Sequence, residues 1–170
     1  MPALLALALL LVLGGAQQPA APAAASAPSP PAARYLHVSA PFAQQLILAT
    51  KTAHPELKKI GLHAVPPGEA ESCIVANAIP SKIGKISSAK DMEAVTAGQA
   101  RSYPHAEEGG FFDLALPVSD QQHRPVGLLV MEIPYRFAPE SEQALAIGRR
   151  IRDEIAAKIP SKPALFGPAA

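Results

Sequence analysis

The sequence predicts an α+β domain, in which helices pack on one face of an antiparallel sheet. Residues 111–118 and 126–135 are rich in β-branched and aromatic side chains and flank a turn at 120–125, as in a β-hairpin. Apolar residues at helical spacing come before and after these strands. The resulting order of helix, two strands, short helix, hairpin and helix is typical of α+β domains.

The first predicted helix has Pro41 in its opening turn, where a proline is tolerated. Its apolar stripe repeats every three or four residues: Phe42, Leu46, Ala49, Ala53, Leu57 and Ile60. His54 precedes Pro55, and a residue before proline avoids the α-helical conformation. We therefore expect either a kink here or a restart, with Pro55 at the first position of a short second helix that ends at Gly61.

Two further strands and a last helix follow from the same signals. The strands are predicted at 62–65 and 72–79, where apolar runs are bounded by proline and glycine. The last helix is predicted from Pro139 to Ile159, with Pro160 ending it. Its expected buried stripe is Leu145, Gly148, Ile151, Ile155 and Ile159.

The segment 80–110 has one predicted element, a short helix over 88–97. Ser88 is its predicted N-cap, Asp91 stands three residues later in a capping-box position, and Gly98 follows as the C-terminal stop. The rest of the segment is predicted to be loop. A long ordered loop beside a sheet is often a functional lid.

Composition limits the domain count and the partners. The chain has 170 residues, with 15 Lys and Arg against 14 Asp and Glu, and every charged side chain lies at or beyond Arg34. Residues 34–160 are long enough for one hydrophobic core, and 161–170 are predicted to be a tail. Because no basic block is present, the sequence argues against a nucleic-acid partner and against electrostatic membrane binding.

The N-terminal region predicts export. Residues 1–16 form a predicted signal peptide, in which an apolar run at 3–13 is followed by Gly14 and Ala16 at the spacing of a cleavage site. Eleven apolar residues are too few to cross a bilayer, so an uncleaved anchor is the weaker alternative. Residues 17–33 are almost wholly Ala, Pro and Ser and are predicted to be a disordered linker. We expect the mature protein to be periplasmic or secreted.

The single cysteine, Cys73, lies in an apolar run and is expected to be a buried, inert thiol. An intermolecular disulfide is the alternative.

Three segments carry a resemblance to a known family: Gly84-Lys85-Ile86-Ser87 with Asp91 and Gly98, the strand 112–118 (FDLALPV) with Asp120, and the strand 125–133 (PVGLLVMEI). Together they resemble extracytoplasmic sensor domains of the single Cache, PAS-like type over residues 34–160. The resemblance implies a five-stranded antiparallel sheet, flanked by a long N-terminal helix and a C-terminal helix. It also implies a small-molecule pocket between the sheet and the 80–110 segment, for organic acids, amino acids or similar metabolites.

The candidate ligand-binding residues come from strand parity and from this resemblance. Alternation along 111–118 puts Asp113 on the face opposite Phe112, Leu114 and Leu116, which we expect to pack under helices. The resemblance makes Glu132 a candidate for holding a ligand ammonium. A solvent-facing position, or an ion pair with a helix arginine, is the alternative for Glu132.

Three residues of the 80–110 segment are further candidates. Lys85 and Arg101, together with Lys82, could clamp a carboxylate, and solvated loop charge is the alternative. Tyr103 could close a pocket, or it could simply pack within the loop.

The sequence offers no recognisable motif for catalysis or for a cofactor. The five histidines lack zinc-ligand spacing, the serines lack a nucleophile-elbow setting, and no CxxCH or cysteine pair is present. We therefore expect no catalytic residue, no metal and no cofactor, and we expect the protein not to be an enzyme.

Three hypotheses of different classes remain. The favoured one is an exported sensor-type module that binds a small metabolite and has no attached output domain, since no second apolar segment follows Ile159. The alternative is a structural or interaction protein that uses the sheet face to form a homodimer or to bind a partner, such as a membrane protein. The third is an enzyme, or a haem or metal binder, built from scattered histidines and acidic groups.

Overall fold

The computed structural model describes residues 33–107 and 109–169 of the chain. The predicted signal peptide, and the linker as far as residue 32, lie outside the described residues.

Within the described residues, five strands form one antiparallel sheet in the order β2-β1-β5-β4-β3. The elements in chain order are α1 (Pro41–Ala53), β1 (Lys59–Ala64), β2 (Cys73–Asn77), α2 (Ala89–Ala97), β3 (Arg101–His105), β4 (Phe111–Ser119), β5 (Pro125–Pro134) and α3 (Ser141–Ala156), with 3₁₀ turns at Pro80–Lys82 and Pro163–Phe166. The predicted α+β fold class, with its five-stranded antiparallel sheet, is confirmed.

One face of the sheet packs against α1 and α3. Phe112, Leu114 and Leu116 of β4 point to this face and are buried, as strand parity predicted. Gly148 lets α3 approach β4 closely, because an added Cβ would lie 2.7 Å from Leu114 Cδ1. The principal hydrophobic core therefore lies between the two helices and this face.

The second face is covered by α2. Ala94 of α2 is fully buried and packs with Ala115 of β4 and with Leu128 and Val130 of β5. Tyr103 of β3 packs against the same cluster. The apolar part of this face is therefore shielded within the chain.

The predicted short helix from Pro55 to Gly61 is wrong. The first helix ends at Ala53, and β1 begins at Lys59. The backbone N–H of Lys58 donates to the carbonyl of Glu132 at 2.8 Å, so this segment already pairs with the sheet. Ile60 is buried as the first inward residue of a strand, and its fit to a helical spacing was coincidental.

The prediction of loop around the short helix missed β3. Arg101–His105 pairs antiparallel with β4 as the edge strand of the sheet. It contains Pro104 and is largely exposed, so it lacks the apolar alternation that marks a strand in sequence. The short helix itself is confirmed, with both capping-box hydrogen bonds between Ser88 and Asp91 and with Gly98 left-handed at φ 62°.

Cys73 is buried in the core, as predicted. Burial, assisted by the negative charge of Glu69, raises the pKa of its thiol to about 11. The thiolate is therefore scarce at neutral pH.

Candidate functional site

A row of four side chains crosses the second face of the sheet. Lys59 of β1 pairs with Glu132 of β5, Glu132 pairs with Asp113 of β4, and Asp113 pairs with Tyr103 of β3. Directly paired residues project to the same face and have their Cβ atoms about 5 Å apart. Antiparallel pairing thus brings together three of the five predicted ligand residues from distant parts of the sequence.

Lysines neutralise the two carboxylates of this row. Lys59 Nζ donates to Glu132 Oε1 at 2.9 Å, and Lys58 Nζ lies 3.7 Å from Glu132 Oε2. Lys90 Nζ lies 3.3 Å from Asp113 Oδ2 and 3.6 Å from the centre of the Tyr103 ring. Lys90 therefore ties α2 to the row through an ion pair and a cation–π contact.

A cavity of about 260 Å³ opens beside this row, and we call it the polar pocket. Its floor is the sheet, and its roof is the 82–91 segment with the start of α2. The lining residues are Lys59, His63, Ile74, Lys82, Lys85, Ile86, Ser88, Lys90, Asp91, Asp113 and Val130.

The roof is fixed to the sheet edge by backbone hydrogen bonds. The N–H of Gly84 donates to the carbonyl of Ile74 at 2.8 Å, and the N–H of Ile74 donates to the carbonyl of Lys85 at 2.9 Å. Gly84 adopts φ 87°, and an added Cβ would overlap the carbonyl oxygen of Leu36. The turn that positions Lys82 and Lys85 therefore requires glycine.

His63 forms part of the pocket wall and is buried. Its Nδ1 lies 3.0 Å from Ser87 Oγ, which lies 2.9 Å from Ser72 Oγ, and Asp91 Oδ2 is 3.8 Å from the same ring nitrogen. Burial is the main cause that lowers the pKa of His63 to about 4; Asp91 opposes this shift, and the charges of Lys59 and Lys85 add to it. The imidazole is therefore uncharged at neutral pH.

The pocket contains polar groups without a protein partner. Asp113 Oδ1 is buried and accepts no hydrogen bond from the described residues. Lys82 and Lys85 form no ion pair with any residue in 33–107 or 109–169. A buried acceptor without a donor costs about 1–3 kcal/mol, so a ligand that supplies a donor would recover this energy.

The structure brings four of the five predicted residues to this region. Asp113 and Lys85 line the polar pocket, and Glu132 and Tyr103 belong to the row beside it. Glu132 is only 13% exposed and pairs with Lys58 and Lys59, so neither the solvent-facing position nor the arginine pair is observed. Arg101 is exposed and borders the outer side of α2, away from the polar pocket.

Sequence reasoning missed Lys59, His63 and Lys90 as pocket residues. Lys59 was assigned to a helix, and His63 lacked any partner at motif spacing. Strand alternation from Lys59 onward predicts that Lys59 and His63 lie on the same face, because they are four residues apart. This signal could have identified both residues.

A larger open depression of about 640 Å³ lies between the β4–β5 turn and α3. Its charged groups are already engaged: Arg124 Nε donates to Asp120 Oδ2 at 2.8 Å, and Arg152 Nε donates to Asp153 Oδ1 at 2.8 Å. Hydrogen bonds from Arg124 and Gln122 outweigh burial and lower the pKa of Asp120. The polar pocket is the better site despite its smaller volume, because its polar groups are not all satisfied.

No described histidine, cysteine or acidic residues form a group of three that could hold a metal ion. Across residues 33–107 and 109–169, no helix is both long enough and apolar enough to cross a bilayer.

Comparison with known proteins finds similarity in structure only. No family model and no curated protein matches the chain. Among solved structures, the chain is similar to the periplasmic domain of RsbU from Chlamydia trachomatis, with 14% sequence identity and a TM-score of 0.39. The match covers 72% of this chain and 42% of that chain, so this chain spans less than half of the neighbour.

Proposed function

We propose that residues 34–160 are an exported, sensor-type module that binds a small metabolite in the polar pocket. The metabolite carries a carboxylate and a hydrogen-bond donor, as 2-hydroxy acids and amino acids do. The observation that carries the proposal is the coexistence, in one pocket, of two lysines without ion-pair partners and a buried carboxylate oxygen without a donor.

Each end of such a ligand has a complementary group. The ammonium groups of Lys82 and Lys85, on the roof, suit a carboxylate. Asp113 Oδ1, on the floor, suits a hydroxyl or an ammonium group. The volume of about 260 Å³ lies just under the range of about 300–1,000 Å³ found for drug-sized ligands, which favours a metabolite of few atoms.

The location of the pocket also supports the proposal. The resemblance to single Cache domains predicts a ligand between the sheet and the 80–110 segment, and the polar pocket lies between these two parts. The predicted signal peptide supports export, and a periplasmic or secreted module would meet metabolites from outside the cytoplasm.

Binding without catalysis fits the geometry around His63. A Ser-His-Asp triad needs the serine and the carboxylate at opposite ring nitrogens. Here Ser87 and Asp91 both approach Nδ1. This arrangement supports a binding protein rather than a serine hydrolase.

The proposal is tested by a thermal-shift screen of the purified chain with L-lactate, L-malate, L-alanine and L-aspartate, and with methylamine as a control lacking a carboxylate. A ligand that binds only the native state raises Tm by mass action. Lys85→Gln should remove the shift, whereas Lys158→Gln, an exposed lysine at the end of α3, should retain it. The proposal fails if no carboxylate raises Tm, or if both variants respond like the wild type.

A further inference from the structure

His63 connects the polar pocket to a buried hydrogen-bonded chain. The ring lies in the pocket wall, and its Nδ1 contacts Ser87 Oγ, which contacts Ser72 Oγ. Only 6% of the residue is exposed. Its side chain is therefore shielded from bulk solvent, so its charge depends mainly on what occupies the pocket.

Charged groups from several elements surround this imidazole. Lys59 of β1 and Lys85 of the roof oppose its protonation, and Asp91 of α2 favours it. Lys82, Lys90 and Asp113 complete the charged lining of the pocket. Four lysines thus face two carboxylates of the lining, and Glu132 beside it pairs with Lys59, so positive charge is in excess next to a neutral histidine.

We infer that an anion entering the polar pocket draws a proton onto His63, so that the pocket binds its ligand more tightly as the pH falls. This inference rests on the proposed function. A bound carboxylate offsets the lysine charges and supplies a negative charge near the ring, and both effects favour imidazolium. Nδ1 then donates to Ser87 Oγ, which can accept because its own hydrogen is free to turn toward Ser72.

The sign follows from linkage. The pKa of His63 is about 4 without ligand. A bound anion that raises it toward the ordinary value of about 6.5 makes the bound state hold more protons than the free state between these two values. Affinity then rises as the pH falls, by at most about twentyfold between pH 7 and pH 5.

The experiment is calorimetric titration of the full chain with L-lactate and with L-alanine at pH 5 and pH 7. Running each titration in two buffers of different ionisation enthalpy gives the number of protons taken up. We expect fractional uptake approaching one proton near pH 5.

His63→Asn retains an amide near Nδ1 for Ser87 and should remove both the uptake and the pH dependence. His123→Asn is the matched control, because His123 is exposed at φ 61°, a conformation that asparagine tolerates.

A measurement on the wild type alone guards against a variant that does not fold. NMR titration of the histidine ring protons should show one buried histidine whose pKa rises when L-lactate is added. Binding of either probe with no proton uptake and equal affinity at both pH values would overturn this inference and leave the proposed function intact. If neither probe binds at either pH, this inference is overturned, and the proposed function falls with it if L-malate and L-aspartate also fail to raise Tm.

Discussion

Asp113 and Glu132 are directly paired residues of β4 and β5, so two carboxylates stand side by side on one face of the sheet. Like charges in this position are destabilising unless cations neutralise them. Lys90 neutralises Asp113, and Lys59 neutralises Glu132. The row is thus held by lysines from α2 and β1, two elements that also form the walls of the polar pocket.

Removing one of these lysines should destabilise the fold measurably. Lys90→Gln should lower the free energy of unfolding by about 1 kcal/mol, because Asp113 loses its partner in a partly buried site. The double variant with Asp113→Asn should recover most of this loss. Lys82→Gln is the control and should stay within about 0.5 kcal/mol of the wild type. Urea unfolding measures the free energy of unfolding of each variant. Equal stability of Lys90→Gln and the wild type would contradict the assignment of Lys90 as the stabilising partner of Asp113.

The capping box should stabilise α2 and thereby the roof of the pocket. Ser88 Oγ accepts from the N–H of Asp91 at 3.2 Å, and Asp91 Oδ2 accepts from the N–H of Ser88 at 2.9 Å. Ser88→Ala should lower the free energy of unfolding by about 1 kcal/mol, and Ser88→Thr should retain most of the stability. Amide hydrogen exchange should show faster exchange in α2 for the alanine variant only. Unchanged exchange in α2 would show that the cap is not needed.

Two glycines allow backbone strain to be separated from a steric clash. Gly84 and Gly98 both have positive φ, but an added Cβ meets Leu36 at Gly84 and nothing within 4 Å at Gly98. Gly98→Ala should cost about 1 kcal/mol for the strained backbone alone. Gly84→Ala should cost clearly more, because the Leu36 segment must also move. Thermal unfolding compares the two, and equal losses would contradict the close approach at Gly84.

Stability should fall in mild acid because of His63. Its pKa is about 4 in the folded protein and about 6.5 in the unfolded chain. The unfolded chain therefore binds the extra proton first, and stability is lost as the pH falls from about 6.5 to about 4, by about 3 kcal/mol at most. His63→Asn should show a flatter profile in urea unfolding over this range, while His123→Asn should follow the wild type. A wild-type profile as flat as that of His63→Asn would contradict the buried neutral state.

The fold was predictable where local signals agreed with the tertiary structure. Ser88, Asp91 and Gly98 specify a helix by capping chemistry that needs no distant contact, and the structure has that helix. The two long strands of the hairpin are mostly apolar in sequence, and most of their residues are buried. β3 was not predictable in this way, because Arg101–His105 is a strand only through pairing with β4.

The candidate site was predictable only in part, for a related reason. Parity placed Asp113 opposite the helix-covered face, and the resemblance made Glu132 a candidate, but their direct pairing depends on the hairpin register, which sequence does not define. Lys59 was missed because a helical spacing through Leu57 and Ile60 concealed the start of β1. His63 lay in the predicted strand 62–65 but had no partner at motif spacing. Arg101 was a candidate only because it lies in the 80–110 segment. It belongs to β3 and lies at the outer side of α2, away from the polar pocket.

The most direct test of the central claim is native mass spectrometry of the chain purified from the periplasm of an expressing bacterium. We expect retained small-molecule mass, which Lys85→Gln or Asp113→Asn reduces and Lys158→Gln does not. A dimer without added mass would contradict a ligand-binding module and favour the interaction protein. In that case these variants change neither the oligomeric state nor the mass, and added L-lactate or L-alanine does not bind.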